Sequence, residues 1–199
     1  MDVSQLYVLV GHGEQRRNIE LKRSMSWNDN STKAKVVKAI LGMSNIRDGG
    51  YLILGFEQEN DTFKATGVKE EDISTFNYDN VKSLVSEFAD PFVEFFMEVV
   101  TDEKEGKKFL VFTINEFNEI PVICKRDGLE NLEKGMIYTR SRRMSETVRV
   151  PTNAEMREIV DMAIEKGIRK YIETSYRGGL QIRAVTKEDE YEKELENIK

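Results

Sequence analysis

An α+β (mixed α/β) fold, a mixed sheet packed with helices and followed by a C-terminal helical extension, is what this sequence predicts. Three observations predict it. Helical periodicity at Val36–Ser44 and again at Val81–Phe88 is interleaved with short apolar, strand-like runs. A charged loop containing Gly106 separates two such runs in the manner of a hairpin. A third, well-capped helical pattern then begins near Thr152. The order helix–strand–helix–strand–helix–strands–helix fits one layered domain and specifies no strand order.

Taken along the chain, Val3 to Val10 is a short apolar helix ended by Gly11-His12-Gly13. Asn18 to Arg23 reads as a strand, with Ile19 and Leu21 on one face and Glu20 and Lys22 on the other. After the polar loop Trp27–Asn30, a helix starts near Ser31. Val36, Val37, Ile40, Leu41 and Ser44 form its inner side, and Lys33, Lys35 and Lys38 its wet side. Asp48-Gly49-Gly50 is a turn, and Tyr51–Phe56 a strand. The helix Phe76–Ala89 is stopped by Asp90-Pro91. Strands are expected at Val93–Val100, Lys108–Ile114 and Val122–Lys125, with a further short one at Met136–Arg140. Thr152 or Asn153 caps a helix through Ile164 that stops at Gly167. Phe92, Phe95, Phe96, Phe109 and Phe112 read as core, and Cys124 as a buried thiol. The expected organisation is a domain over 1–150, a helical extension over 151–177 and an acidic tail over 178–199.

Composition narrows the function classes. A chain of 199 residues with 33% charged and 39% hydrophobic residues supports one buried core. One cysteine excludes an internal disulfide, and one cysteine with one histidine excludes a zinc site. Any metal would therefore be a carboxylate-bound ion such as Mg²⁺ or Mn²⁺. No run reaches the roughly 18 apolar residues of a membrane span, and no secretory leader is visible, so a cytoplasmic location is expected. The net charge of −6 argues against non-specific wrapping of DNA. Charge is uneven, however. Residues 187–199 carry six acids against three lysines, whereas Tyr138–Arg149 holds four arginines against one glutamate.

Three constellations could carry chemistry. On a strand, Glu20 and Lys22 point the same way, so the carboxylate could hold a divalent ion while the ammonium neutralises a phosphate. A cross-strand ion pair on a solvent face explains the same pattern. Glu14 and Glu57 are the further acids a metal-dependent nuclease would need. The consecutive glycines Gly49-Gly50 allow either a phosphate-binding turn or a plain helix stop. In Tyr138-Thr139-Arg140-Ser141-Arg142-Arg143, strand alternation aims Tyr138, Arg140 and Arg142 to one side, a pattern suited to stacking on a base and clamping phosphates. A basic loop paired with surface acids is the alternative. Gly11-His12-Gly13 is no phosphate loop, because no Gly-Lys-Ser/Thr follows, and His12 has no nucleophile in view.

The succession Glu14…Ile19-Glu20-Leu21-Lys22, a helix ending at Ser44-Asn45, Gly49-Gly50-Tyr51-Leu52-Ile53-Leu54-Gly55, Gly67, Pro121 and Tyr138-Thr139-Arg140 resembles the Schlafen AlbA-like domain family from about Glu14 to Thr152. The resemblance implies a nucleic-acid-binding domain, for DNA or RNA, in a prokaryotic protein of transcriptional regulation or defence against foreign genetic elements. Animal members use three carboxylates in a metal-dependent endoribonuclease acting on tRNA and rRNA. By position these correspond to Glu14, Glu20 and Glu57, with Mg²⁺ or Mn²⁺ as the ion and Lys22 stabilising charge. Glu57 stands where aspartate is usual. Those enzymes pair two modules in a clamp, so this single module would need a homodimer or a partner protein to form one. The nucleic-acid contacts expected are Lys22, Arg23, Lys33, Arg140, Arg142 and Arg143, with Tyr138 stacking. The alternatives are a nuclease using Glu14, Glu20, Lys22 and Glu57, and a non-catalytic interaction subunit docking through its acidic tail.

Overall fold

The computed structural model describes residues 1–11, 16–60, 62–130, 132–143, 146–149 and 151–179. The first helix, α1 (Val3–Val10), is set by a capping box: the Asp2 carboxylate accepts from the Gln5 amide, and the Gln5 side chain accepts from the Asp2 amide. It buries Leu6 and Val10. Strand β1 (Ile19–Lys22) follows. Asp29 then caps α2 (Asn30–Ser44) by accepting from the Thr32 amide at 3.1 Å.

From Val36 to Ser44 every position of α2 except Lys38 is buried, more than a single amphipathic stripe would cover. The reason is that α2 is enclosed on several sides. β2 (Gly50–Leu54), β3 (Phe56–Glu59), β4 (Thr62–Ala65), α3 (Glu70–Ile73), α4 (Tyr78–Phe88), β5 (Ala89–Asp90), β6 (Phe95–Asp102), β7 (Lys107–Ile114), β8 (Ile123–Cys124), β9 (Thr139–Arg140) and β10 (Thr147–Val148) come after it. The helix lies between the main sheet, α4 and the β9–β10 pair. The approach to β10 requires Gly42, where a Cβ would fall 2.4 Å from Thr147 Cγ2.

The main sheet has the order β1-β2-β7-β6. β1 runs parallel to β2, as the intervening α2 crossover demands, and the remaining pairs are antiparallel. Both faces are covered. Leu52, Leu54, Leu110, Phe112 and Ile114 pack with α2 and α4 in one cluster. Ile19, Leu21, Ile53, Phe109 and Val111 pack with Leu6 and Val10 of α1 in the other. That two-sided burial explains why Leu52-Ile53-Leu54 is a continuous apolar run.

Asn45, fully buried at the end of α2, ties three segments together. Its amide nitrogen donates to the carbonyls of Val122 (2.8 Å), Tyr138 (2.9 Å) and Leu41 (3.2 Å). Its side-chain oxygen accepts from the Val122 amide at 2.8 Å. The final helix, α5 (Asn153–Arg177), begins at Thr152. There the Glu155 carboxylate accepts from the Thr152 amide at 2.8 Å while the Thr152 hydroxyl accepts from the Glu155 amide at 3.3 Å.

Several sequence expectations are corrected here. The strand expected from Val93 begins at Phe95 and runs to Asp102, and the one at Met136–Arg140 contains only Thr139 and Arg140. The last helix continues past Gly167 to Arg177, since one glycine costs a helix only about 1 kcal/mol. Phe92 and Phe96 are 50% and 61% exposed and lie outside the core, whereas Phe95, Phe109 and Phe112 belong to it, as does Cys124. Met1–Ala163 forms one compact unit and Ile164–Lys199 a second. No described helix is long and apolar enough to cross a membrane.

Asn45→Ala strips partners from one buried amide and two buried loop carbonyls, each worth about 1–3 kcal/mol when left unsatisfied. The expected result is a destabilisation of at least about 2 kcal/mol, read as a lower urea midpoint at unchanged m-value.

Candidate functional site

The parallel register Glu20↔Leu52 turns the Glu20 side chain toward the α2 side of the sheet, beneath the β9–β10 pair, and not toward solvent. Only 7% of Glu20 is exposed. Its Oε2 accepts from Arg140 Nη1 at 2.9 Å, and Lys22 Nζ lies 3.0 Å from its Oε1. Arg140 has no exposed surface. Its Nε donates to the Arg17 carbonyl at 2.9 Å, and its Nη2 donates to the carbonyls of Ile19 (3.3 Å) and Arg16 (3.4 Å). Burial pulls the Arg140 pKa below the usual guanidinium value, and the Glu20 carboxylate opposes that pull.

The network continues outward. Arg17 Nε donates to the Arg140 carbonyl at 3.0 Å, its Nη1 donates to Glu158 Oε1 at 2.9 Å, and its Nη2 lies in ion-pair range of Glu158 Oε2 at 2.8 Å without hydrogen-bond geometry. Arg142 joins the same carboxylate, with Nη2 at 3.2 Å from Glu158 Oε2. These bonds, led by that from Arg17, hold Glu158 below the ordinary glutamate range. Burial disfavours the charge on Glu155. The amides of Thr152 and Arg142 and the hydroxyls of Thr152 and Ser141 outweigh it and lower that pKa as well.

This geometry revises the arginine segment. Tyr138, Thr139, Arg140 and Ser141 are all buried, so strand alternation presents no outward face there. Tyr138 is 1% exposed, and its hydroxyl accepts from the Glu133 amide at 3.1 Å; its ring is core and offers no stacking platform. Arg140 is an internal counter-ion and has no surface with which to contact a phosphate. Arg142 is surface-exposed but shared with Glu158, and Arg149 pairs with Glu133. Arg143 is exposed and forms no side-chain ion pair among the described residues. The glycine turn is likewise committed to packing. The Asp48 amide donates to Glu116 Oε2 and the Gly49 amide to the Ile46 carbonyl, while a Cβ on Gly50 would sit 2.1 Å from Met43 Sδ.

A cleft of about 510 Å³ opens instead beside the start of α2. Arg23 just after β1, Lys35 of α2, Lys69 before α3 and Glu57 of β3 all line it, together with the hydroxyl residues Ser24, Ser26, Thr32 and Thr66. Gly55 (φ +111°) makes the close approach possible. Its amide donates to the Lys22 carbonyl at 2.8 Å, its carbonyl accepts from Thr66 and Gly67 at 2.9 Å, and a Cβ would meet Phe109 Cδ1 at 2.8 Å. Asp29 also faces the cleft. The Thr32 amide it caps, with Lys35 contributing, keeps its carboxylate below the ordinary range. Arg23 and Lys35 form no ion pair among the described residues, and Lys69 has only a loose contact with Glu71 at 3.8 Å. Lys33 lines a different hollow of about 390 Å³ with Trp27, Asn28 and Glu87.

Of the residues expected from sequence, the structure thus brings Arg23 and Glu57 into one cleft and Glu20, Lys22 and Arg140 into one buried network. Sequence reasoning missed Lys69, which no local pattern marks, and had placed Lys35 only on a wet helix face. Glu14 lies outside the described residues. The described acids do not fit a metal: Glu20 has both oxygens in ion pairs, and no group of three or more His, Cys, Asp or Glu among the described residues could hold an ion.

A family model described as "Schlafen, AlbA_2" matches residues 15–149. The chain belongs to this family. The buried acid–arginine latch and the α2 cleft are thus features of its Schlafen AlbA_2 domain. Among solved structures, a protein from Corynebacterium diphtheriae is 13% identical with a TM-score of 0.48, covering 78% of this chain, which spans 27% of that protein's length. The N-terminal domain of a RecG-related protein from Nitrosomonas europaea is 22% identical with a TM-score of 0.45, the match covering 71% of this chain and 91% of that one. The family assignment rests on the sequence match and not on these likenesses. No curated protein matches.

Two outcomes follow for the Schlafen AlbA_2 domain. Arg140→Met leaves the buried Glu20 carboxylate without its principal partner and is expected to cost about 3–5 kcal/mol in a urea titration. Because Glu155 titrates below the ordinary range when folded, its stabilisation is complete above that range and is lost as pH falls through the depressed value. Stability measured from pH 7 down to pH 3 is expected to fall less steeply in Glu155→Gln than in the parent.

Proposed function

We propose that this chain binds a nucleic acid, DNA or RNA, through the cleft beside α2. The observation that carries the reading is the convergence of Arg23, Lys35 and Lys69, from three separate segments, on one hollow rimmed by hydroxyl side chains in a protein of net charge −6. Cations gathered this way favour the phosphate backbone, and hydroxyls supply further donors to phosphate oxygens. Membership of the Schlafen AlbA_2 family supports the same reading. Lys33 of the second hollow and the exposed Arg142 and Arg143 are further candidate contacts, as is Lys22, which Glu20 holds. Residues 1–150 form the binding unit, 151–177 and the acidic 178–199 being accessory. Transcriptional regulation or defence against foreign genetic elements is the setting such binding suits.

Glu57 places one carboxylate among the cations. A carboxylate there is the one feature of the cleft that favours a nuclease.

The test is fluorescence anisotropy with tRNA, single-stranded and duplex probes at two salt concentrations, with and without Mn²⁺. Binding that weakens steeply with salt is expected, and Arg23→Glu combined with Lys35→Glu should weaken it at least about tenfold and lower the salt slope by about 2. No binding at low salt overturns the proposal and leaves an interaction subunit that docks through its acidic tail. Mn²⁺-dependent cleavage that disappears in Glu57→Ala, with binding retained, would add a catalytic role.

A further inference from the structure

The last helix, α5, changes its apolar side along its length. Near its start Ile159 and Met162 lie in the core, each 1% exposed. Farther on, Ile164 (53%), Ile168 (55%), Tyr171 (67%) and Ile172 (37%) form an open stripe at i, i+4, i+7 and i+8. Ile168 follows Ile159 by nine positions, about two and a half turns, and so projects from the opposite side of the helix. Ser175, on the same stripe, is only 6% exposed. The helix then ends in a cap that redirects the chain. The Gly178 amide donates to the Thr174 carbonyl at 2.9 Å, the Gly179 amide donates to the Tyr176 carbonyl at 3.1 Å, and Gly179 takes φ +79°.

Residues 180–199 lie outside the described residues, but their sequence matches this stripe in three ways. Thr186-Lys187-Glu188-Asp189 has the pattern of a capping box, a helix start. Beyond it Tyr191, Leu195 and Ile198 recur at i, i+4 and i+7. Charge is complementary as well. Residues 164–179 hold Lys166, Arg169, Lys170 and Arg177 against two glutamates, whereas residues 187–199 hold six acids against three lysines. Ile164–Lys199 is also one compact unit.

From this arrangement we infer that the acidic C-terminal segment Thr186–Lys199 docks as an antiparallel helix on the open stripe of α5. Residues 178–185 then form the connection, within the usual length of about 2–8 residues for paired helices. In this register Tyr191 meets Ile172, Leu195 meets Ile168 and Ile198 meets Ile164. Arg169 and Lys170, flanking the stripe, fall across from Glu192 and Glu194. Sliding the segment one turn toward Gly179 leaves Ile164 uncovered. Attachment to the same chain selects this occupant over a separate partner, because a short tether holds the segment at an effective concentration of about millimolar. The acids of the tail are thereby engaged within the chain, whether or not the α2 cleft binds nucleic acid.

Two measurements on the full chain test this. Amides of 188–199 should exchange hydrogen at least about tenfold slower than in an unfolded chain. Ile168→Asp should abolish that protection while leaving the main sheet unchanged. Under mild oxidation, Ile168→Cys with Leu195→Cys should form an intramolecular disulfide. It should form at least about tenfold faster than the pair Ile168→Cys with Lys187→Cys, whose thiols this register sets roughly 12 Å apart along the helix. Cys124 is buried and does not compete. Unprotected tail amides, protection that survives Ile168→Asp, equal rates for the two pairs, or linkage between copies instead of within one overturns the inference.

Discussion

Arg140 carries a full positive charge where no solvent reaches it, and much of the architecture serves that constraint. Desolvating a guanidinium and a carboxylate costs several kcal/mol for each ion, so such a pair persists only where further hydrogen bonds complete it. Here Glu20 supplies the counter-charge, and the carbonyls of Arg17, Ile19 and Arg16 take the remaining donors. Those carbonyls belong to β1 and the segment before it, so one side chain fastens β9 to a strand more than a hundred positions earlier. The arrangement sets register as much as stability: shifting β1 by one residue would turn Glu20 to the opposite face and leave Arg140 alone.

The same economy of charge explains where the molecule can and cannot meet an anion. Arg17 and Arg142 share Glu158, Lys22 shares Glu20 with Arg140, and Arg149 is held by Glu133. The most basic stretch of the chain is therefore largely neutralised within the fold. Arg23, Lys35 and Lys69 face the cleft beside α2, and the Gly55 bend ties the segment after β1 to the Thr66–Gly67 turn. A local concentration of arginines in sequence is largely taken up by ion pairs within the fold, whereas the cations lining the α2 cleft come from dispersed positions.

α2 shows how tertiary enclosure exceeds local amphipathicity. Its lysines at 33, 35 and 38 mark a wet side only for the first turns; beyond Lys38 the sheet, α4 and the β9–β10 pair close around it. Gly42 makes that closure possible by letting Thr147 approach, and Asn45 completes it by satisfying backbone groups that no ladder reaches. The turn from Asn45 to Gly50 thus has a packing explanation, with its amides used inside the protein.

Much was legible in sequence because it depends on neighbours a few residues apart. The α2 and α4 periodicities, the capping box at Thr152 and Glu155, the strand after the glycine turn (expected to Phe56, ended at Leu54 by the Gly55 bend) and the family motif order all follow from local spacing and backbone chemistry. What spacing cannot express is which second surface covers a given face. Alternation put Glu20 and Lys22 together correctly, but only the parallel pairing with β2 and the lid of β9–β10 decided that Glu20 would be buried and bound to Arg140. Likewise Tyr138 read as an outward aromatic until both sides of its short strand were filled, and Phe96 read as core until the sheet ended beside it. Local propensity chose the elements; long-range packing chose their exposure, because burial belongs to pairs of surfaces and not to single segments.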